Sequence, residues 1–368
     1  MTKARTNASA SPAVGRNIVI NGAMNVAQRA TSVTGIGASA TFATVDRWEI
    51  NTSNTAGRLT MSQTADGPNG ISANCIKLDC TTADASIAAN EFTQCRTMFE
   101  GQNLQRIGKG VAGAQQVTVS FYVKASAIFT FGCELFDKDN NRQITKLFAT
   151  TTDWVRHEIT FPADVDDGSS PFADDNAESL RLIFWLHAGS NFTGGTLNTA
   201  AFNNRTDANR AVGISSFYSN TANNFFLTGV QMEVGPVATE FEQEQISTTL
   251  SKCQRYYQKQ IATGSAFERF GNGFANTTGN FNTIIPMQVP MRATPAIETT
   301  GTVGNYGVYH ANAVTAATGI AIDGNADGNG KQVGVNIADS NSGFTVGRSG
   351  MFIANNTAAA FIALSAEL

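Results

Sequence analysis

The chain has 368 residues and a formal net charge of −4; 42% of its residues are hydrophobic and 15% are charged. This mild negative charge, without a long run of Lys or Arg, argues against nucleic acid as a partner. No apolar run approaches the ~18 residues needed to cross a bilayer, so we expect neither a signal peptide nor membrane insertion. The length exceeds the ~100–200 residues of a typical domain, and the 24 Phe indicate packed interiors.

The N-terminal segment, residues 1–15, is small, polar and without periodicity. Such a segment has nothing to bury, so we expect it to be extended and ordered only on a partner. It is therefore interpreted as an attachment arm.

From Asn17 onward, short apolar runs alternate with Gly, Asn, Asp and Thr clusters, which is typical of strands and turns. In residues 116–124 the alternation predicts a strand with Val117, Val119, Phe121 and Val123 on its core face. Residues 129–136 and 144–148 continue the pattern on either side of a polar turn at 137–141, which predicts a hairpin. Further strands are predicted over 154–161, 180–186 and 225–233. We therefore predict an all-β protein whose residues 16–241 form a jelly-roll-like β-sandwich.

One helix is predicted after Gly235 and Pro236, over residues 241–253. Ile246, Leu250, Cys253 and Tyr257 recur at helical spacing and give a single apolar stripe. We interpret residues 242–260 as a short helical joint.

Beyond this joint, apolar alternation resumes in short runs separated by Gly-, Asn-, Thr- and Ala-rich turns, without a fixed repeat. Residues 261–368 are therefore predicted to be a smaller C-terminal β-sandwich, the last of four parts after the arm, the first sandwich and the joint.

The five cysteines have no CxxC spacing, and their odd number cannot form a complete disulfide framework. We predict buried thiols in a protein made in a reducing cytoplasm. They are Cys75, Cys80, Cys95, Cys133 and Cys253.

Three ordered segments carry a resemblance to a known family. The first is 17–29 together with 41–48, which ends in Asp46, Arg47 and Trp48. The second is 230–241 and the third is 253–257. In this order they resemble a β-rich module of phage tail-fibre and virion-fibre proteins.

The resemblance implies a carbohydrate-binding-module-like jelly roll followed by a C-terminal β domain that contains residues 291–295 and ends in Ala366, Glu367 and Leu368. It also implies a homotrimer, located in the virion, whose distal part touches the host surface. The N-terminal arm would then bind another virion protein, and the partner at the distal end would be a host cell-surface glycan. A short tail fibre and a capsid-attached fibre are both compatible with the resemblance.

Catalytic chemistry has little support in the sequence. None of the three histidines has a metal-chelating spacing, and a Gly-x-Ser-x-Gly nucleophile motif is absent. Aspartates cluster in a Gly/Ser/Pro-rich stretch, where a solvated loop is the expected structure. They are Asp164, Asp166, Asp167, Asp174 and Asp175. We expect no enzyme activity. One alternative hypothesis is a capsular polysaccharide depolymerase. Another is a capsid decoration protein that binds no receptor.

We expect no cofactor, with a structural calcium ion as the alternative. Asp323, Asn325 and Asp327 match the first half of a calcium-binding loop, whose spacing directs oxygen ligands to one cation. The twelfth position is Gly334 instead of the bidentate Glu that such a loop requires.

Sugar binding uses aromatic faces and polar side chains that pair with hydroxyl groups. We expect Trp48, Trp154 and Trp185 to be core residues. Tyr306 and Tyr309, flanked by Gly and Asn and followed by His310, are expected to be exposed near a loop. The candidate ligand-binding residues are therefore Tyr306, Tyr309 and His310.

Overall fold

The computed structural model describes residues 15–165, 170–262, 266–323 and 332–368. The chain divides into two compact units, here called unit 1 (residues 1–246 and 368) and unit 2 (residues 247–367). Strands dominate both, and every strand pair in the described ranges is antiparallel. The predicted all-β class is confirmed.

Unit 1 contains twelve strands and a single-turn helix, α1 (Ser190–Thr193). The strands are β1 (Ser32–Ile36), β2 (Glu49–Ser53), β3 (Arg58–Thr64), β4 (Cys75–Thr82), β5 (Phe92–Glu100), β6 (Val117–Ala125), β7 (Thr130–Asp137), β8 (Arg142–Ala149), β9 (Val155–Phe161), β10 (Glu178–Ala188), β11 (Asn203–Asn204) and β12 (Asn224–Val234).

These strands form two six-stranded sheets. The first has the order β1-β3-β4-β12-β6-β9 and the second the order β11-β8-β7-β10-β5-β2. From β4 to β7 the chain passes from one sheet to the other at every step, which is typical of a jelly-roll-like sandwich. The inner faces share one core, in which the rings of Phe121 in β6 and Phe184 in β10 lie 4.9 Å apart, centroid to centroid.

The local patterns explain the strands that carry this core. The four predicted inward residues of β6, from Val117 to Val123, are all buried. β7 and β8 form the predicted hairpin, and Asn141 in the turn has a φ of 53°, a conformation that Asn tolerates better than most residues.

The outer face of the second sheet carries a smaller buried cluster. Trp185 packs against Phe192 of α1, with ring centroids 5.5 Å apart, so the segment after β10 covers part of this face. Glu134 is fully buried here. It accepts two hydrogen bonds from the Arg210 guanidinium, at 2.9 and 3.0 Å, and one from the Trp185 indole at 2.6 Å.

The first described residues of unit 1 are fastened to β12. The Asn17 side chain donates to the Val230 carbonyl at 3.1 Å and accepts from the Met232 amide at 3.0 Å. The backbone amides of Gly15 and Asn17 both donate to the Glu242 carboxylate, at 2.6 and 2.8 Å. Both ends of the sandwich therefore lie side by side.

Unit 2 contains α2 (Ile246–Gln254), whose first residue belongs to unit 1, and ten strands. The strands are β13 (Tyr257–Ile261), β14 (Arg269–Ala275), β15 (Asn280–Pro286), β16 (Ala296–Thr299), β17 (Tyr306–His310), β18 (Ala313–Ala316), β19 (Gly319–Ile322), β20 (Gln332–Ala338), β21 (Ser349–Ala354) and β22 (Phe361–Ser365).

Two sheets build unit 2: a seven-stranded sheet in the order β18-β17-β21-β14-β15-β20-β19 and a three-stranded sheet in the order β13-β22-β16. One apolar core contains residues of both sheets, including Phe281, Val335 and Phe352 from the larger sheet and Ile362 and Leu364 from the smaller.

The helix departs from its prediction. It begins five residues later than expected, Ile246 is exposed, and Tyr257 lies in β13, where it pairs with Ser365 instead of extending the stripe. The first three residues of the predicted apolar stripe are helical, whereas pairing with β22 takes the last one, Tyr257, into a sheet.

All five cysteines are buried thiols that form no disulfide, as predicted. No helix among the described residues has the length and apolar character that crossing a membrane requires.

Candidate functional site

The outer face of the seven-stranded sheet of unit 2 carries a row of side chains that runs across five strands. Tyr309 lies opposite Val314 on one side and Met351 on the other. Met351 lies opposite Asn272, which lies opposite Ile284. Residues directly opposite each other in a sheet share a face, so this row forms one continuous surface.

The strand alternation explains why this surface is exposed. In β17 and β21, Val308 and Phe352 point into the core and are fully buried, so their neighbours Tyr309 and Met351 point outward. Ile284 is 48% exposed. An apolar outer face of this kind is a candidate for contact with another molecule.

One end of the row borders a shallow depression of about 390 Å³. Its walls come from β14, β17, β18, β21 and the residues just before β14. They are Phe267, Arg269, Tyr309, Val314, Met351 and Ile353. We call it the Tyr309 depression.

Aromatic rings are accessible at this depression. Phe267 is 49% exposed and Tyr309 is 37% exposed, whereas Ile353 at the floor is buried. Since β17 and β14 are both paired with β21, three adjacent strands fix the positions of Tyr309, Met351 and Arg269 relative to one another.

The depression also carries two polar groups that the fold does not use. Within the described ranges, neither the Tyr309 hydroxyl nor the Arg269 guanidinium makes a hydrogen bond or an ion pair. The phenol can donate or accept, and the guanidinium donates from a planar fork. The site therefore combines aromatic surface with unused hydrogen-bonding groups.

The three residues predicted to bind a ligand have different environments. Tyr309 is exposed as expected and lines the depression. The expected exposure is wrong for Tyr306, which is 0% exposed, and the candidate His310 is also buried, at 7%. They alternate with Gly307 and Tyr309 in β17 and therefore point to the opposite face of the sheet.

Both buried side chains have structural contacts. The Tyr306 hydroxyl donates to the Phe361 carbonyl at 2.6 Å and accepts from the Thr300 amide at 2.9 Å. His310 Nε2 lies 2.8 Å from the Thr315 hydroxyl, and its ring packs edge-on against Phe344. Tyr306 thus ties β17 to the three-stranded sheet.

Of the three predicted calcium ligands, Asn325 and Asp327 lie outside the described residues. Asp323 is partly buried, and its backbone amide donates to the Gly334 carbonyl at 2.9 Å. This calcium site stays a prediction.

The predicted aspartate cluster does not form one solvated group. Asp164 is buried and makes a two-pronged ion pair with Arg142, at 2.9 and 3.1 Å. Asp174 and Asp175 are exposed, whereas Asp166 and Asp167 lie outside the described residues. Asp164 therefore has a structural contact that its polar sequence neighbours concealed.

Trp48 and Trp185 are fully buried, as predicted. Trp154 is not: it is partly exposed, and its indole donates to the Asp66 carbonyl at 3.0 Å. Its ring packs edge-on against Phe226 with the Lys124 ammonium 5.2 Å from its centroid. This ring is held by its own unit, so it is a weaker candidate for ligand binding than Tyr309.

No protein-family model and no curated protein matches the chain. Solved structures that are similar to it include three carbohydrate-binding domains. One is a family 11 module from Clostridium thermocellum in complex with a β-1,3-1,4-mixed-linked tetrasaccharide, with 10% identity over 55% of this chain and 100% of that chain and a TM-score of 0.28. Another is a module in complex with β-1,4-galactotriose, with 9% identity over 60% of this chain and 99% of that chain and a TM-score of 0.30. The third is a xylan-binding domain from Paenibacillus barcinonensis, with 12% identity over 56% of this chain and 94% of that chain and a TM-score of 0.27.

Proposed function

We propose that this protein is a non-enzymatic phage virion fibre component that adheres to a host cell-surface glycan through the Tyr309 depression. The observation that carries the binding surface is the pairing of an unused phenol and an unused guanidinium with exposed apolar walls. Sugars present C–H faces that pack on aromatic rings and hydroxyls that need hydrogen-bond partners. Tyr309 offers both, and Phe267 adds a second ring.

Arg269 favours a glycan that carries negative charge. A guanidinium forms two parallel hydrogen bonds with a carboxylate or a phosphate, and such bonds are about twice as strong as neutral ones. We therefore expect acidic sugars, or phosphorylated sugars, to bind better than neutral ones. The shallow shape of the depression suits a short stretch of an exposed chain.

The virion setting is supported by the three ordered segments that resemble fibre proteins. In this proposal the chain is a homotrimer, residues 1–15 bind another virion protein, and synthesis takes place in the host cytoplasm. A single shallow site binds weakly, but linked copies raise the apparent affinity by roughly 10²–10⁴-fold. Adhesion by several weak contacts is thus consistent with a modest site.

Binding is tested with the full-length protein on an array of bacterial surface polysaccharides that includes acidic and neutral chains. We expect binding to acidic glycans, and a loss of at least tenfold in affinity for Tyr309→Ala and for Arg269→Ala, equivalent to about 1.4 kcal/mol. Arg348→Ala is the matched control, because Arg348 is also exposed and precedes β21 but does not line the depression. Equal binding by all three variants would overturn the assignment of the site.

Assembly is tested separately by measuring the mass of the purified protein in solution. The proposal expects three times the 38.9 kDa of one chain. A stable monomer would contradict the predicted trimer but would not affect the glycan-binding part of the proposal, which the array tests separately. Deleting residues 1–15 and measuring incorporation into particles tests the attachment arm: a truncated protein that still incorporates would remove the arm from the proposal.

A further inference from the structure

Three titratable side chains meet inside unit 1, away from the Tyr309 depression. Asp84 lies two residues after β4, Glu91 immediately precedes β5, and His187 lies near the end of β10. Their exposed fractions are 5%, 4% and 0%. One oxygen or nitrogen from each lies within 4.8 Å of the other two, and His187 Nε2 is 3.3 Å from a Glu91 oxygen.

No Arg or Lys side chain of the described residues forms an ion pair with this cluster. Among the described residues, His187 is the only basic side chain that pairs with Asp84 or Glu91. A buried carboxylate has lost its hydration and is stabilised by hydrogen bonds or by a bound cation.

Some of the other buried carboxylates in unit 1 pair with a cation, whereas buried Glu233 accepts hydrogen bonds from the neutral groups of Gln231 and Thr239. Four carboxylates pair with Arg or Lys: Glu49 with Arg96, Glu134 with Arg210, Asp137 with Lys109, and Asp164 with Arg142. Asp84 and Glu91 have no Arg or Lys partner among the described residues, which leaves this pair of carboxylates available to a cation from solution.

A divalent ion fits the donor set. Two carboxylates and a neutral imidazole balance one dication in charge. Ligand atoms bound at about 2.0–2.2 Å lie roughly 3.0–3.5 Å apart at tetrahedral or octahedral angles, which agrees with the separation of His187 and Glu91. Calcium prefers six to eight oxygen ligands, whereas imidazole nitrogen suits ions such as zinc and, with carboxylates, manganese.

The surrounding residues hold the three side chains in place. His187 Nδ1 lies 2.8 Å from the Ser216 hydroxyl, which leaves Nε2 directed at Glu91. Asp84 accepts hydrogen bonds from the Thr55 hydroxyl and the Ala56 amide on one oxygen and from the Ser86 amide on the other. Such outer partners orient metal ligands in known sites and fix the tautomer of the histidine.

We propose that Asp84, Glu91 and His187 bind a divalent transition-metal ion of the zinc or manganese class. The ion fastens the connection between β4 and β5 to the end of β10, so its role is structural. The competing arrangement is a proton shared between the two carboxylates, which needs no metal.

The test uses the full-length protein, stripped with a chelator and titrated with Zn²⁺, Mn²⁺, Ca²⁺ or Mg²⁺. We expect one Zn²⁺ or Mn²⁺ per chain and a higher midpoint of thermal unfolding with metal than without it. Glu91→Gln and Asp84→Asn, which keep the shape of the side chains, should each weaken binding at least tenfold. His157→Gln is the matched control, because His157 hydrogen-bonds the Ala149 carbonyl and is not part of the cluster.

If the variants fail to fold, X-ray absorption at the zinc edge of the wild-type protein still identifies the atoms that bind the metal. Nitrogen and oxygen ligands without sulfur support the site, whereas thiolate ligation would assign the zinc to cysteine and overturn it. Absence of binding, binding of Ca²⁺ alone, or full affinity in Glu91→Gln would also overturn it. A shared proton would then be the remaining arrangement.

Discussion

Gly22 lies directly against the backbone of Val230: a Cβ atom at position 22 would stand 2.0 Å from the Val230 carbonyl oxygen. The two residues also share a hydrogen bond, from the Val230 amide to the Gly22 carbonyl, at 2.9 Å. Two of the ordered sequence segments, 17–29 and 230–241, therefore touch each other. Their joint presence in the sequence has a physical reason, since the opening turn needs a residue without a side chain where it meets β12.

Gly22→Ala is expected to destabilise unit 1 by about 2 kcal/mol or more, because the new methyl group meets fixed backbone instead of a flexible side chain. Chemical denaturation followed by tryptophan fluorescence measures the loss. Gly113→Ala is the control, since a Cβ at position 113 has no atom within 4 Å. Equal stability of both variants would contradict the close contact.

Arg210→Ala is expected to cost about 3–5 kcal/mol, because it leaves the Glu134 carboxylate buried without its cation. Glu134 is fully buried and Arg210 is 6% exposed. The free energy of unfolding from urea titration checks this. Arg205→Ala should change stability by at most about 1 kcal/mol, since the Arg205 pair with Asp207 is 40% exposed. A small effect of Arg210→Ala would mean that water reaches Glu134.

Tyr306→Phe is expected to lower the stability of unit 2 by about 1–3 kcal/mol without weakening glycan binding. It removes the hydroxyl that bridges the Thr300 amide and the Phe361 carbonyl, and it leaves both of these partly buried groups without that partner. Thermal unfolding and the glycan array together check the prediction. If Tyr306→Phe lost binding as strongly as Tyr309→Ala, the core-facing side of β17 would also determine glycan binding.

Unit 1 is expected to lose stability as the pH falls below about 6.5. Burial lowers the pKa of His157, although the hydrogen bond to the Ala149 carbonyl acts in the opposite direction. The unfolded chain then takes up a proton on this side chain at a higher pH than the folded chain does. The contribution of the neutral ring is complete above the unfolded pKa of about 6.5 and is lost as the pH falls toward the folded pKa.

Urea titrations at several pH values between 8 and 5 measure this dependence. His157→Gln should give a shallower slope of unfolding free energy against pH, even if its stability at pH 8 is lower. An unchanged slope in His157→Gln would show that the ring is not the titrating group.

All five thiols are expected to be unreactive in the folded protein. Burial raises the pKa of Cys95 and Cys133, which disfavours the reactive thiolate, and the other three are also buried. Labelling with a thiol reagent should be slow in buffer and should reach five groups per chain in denaturant. A fast thiol in buffer would reveal local opening around it.

The strands could be predicted from the sequence where one face is clearly apolar. β6 and the β7–β8 hairpin are examples, because period-two alternation and a polar turn determine them locally. The same alternation in β17 places Tyr306 and Tyr309 on opposite faces, but the flanking Gly and Asn residues suggested a loop with both rings exposed. Tyr306 and Tyr309 are three residues apart, and an odd separation within one strand places two side chains on opposite faces.

The rest of the candidate site was not readable from local patterns. Arg269, Tyr309 and Met351 come together because β14 and β17 both pair with β21, and that order depends on long-range packing. Asp84, Glu91 and His187 have no motif spacing for the same reason. In the sequence, apolar residues at outward strand positions, such as Ile284, indicated that this sheet face is less polar than an ordinary solvent-exposed face.

Gly15 and Glu242 are hydrogen-bonded to each other, so the chain enters and leaves the sandwich of unit 1 at adjacent points. A folded block whose entry and exit lie side by side can be inserted into a loop of another protein without pulling its ends apart. Exchange of the sandwich between carrier proteins would then leave its core, its buried ion pairs and the Asp84 cluster unchanged. The Glu242 carboxylate joins the two ends of unit 1, since it accepts hydrogen bonds from the amides of Gly15 and Asn17.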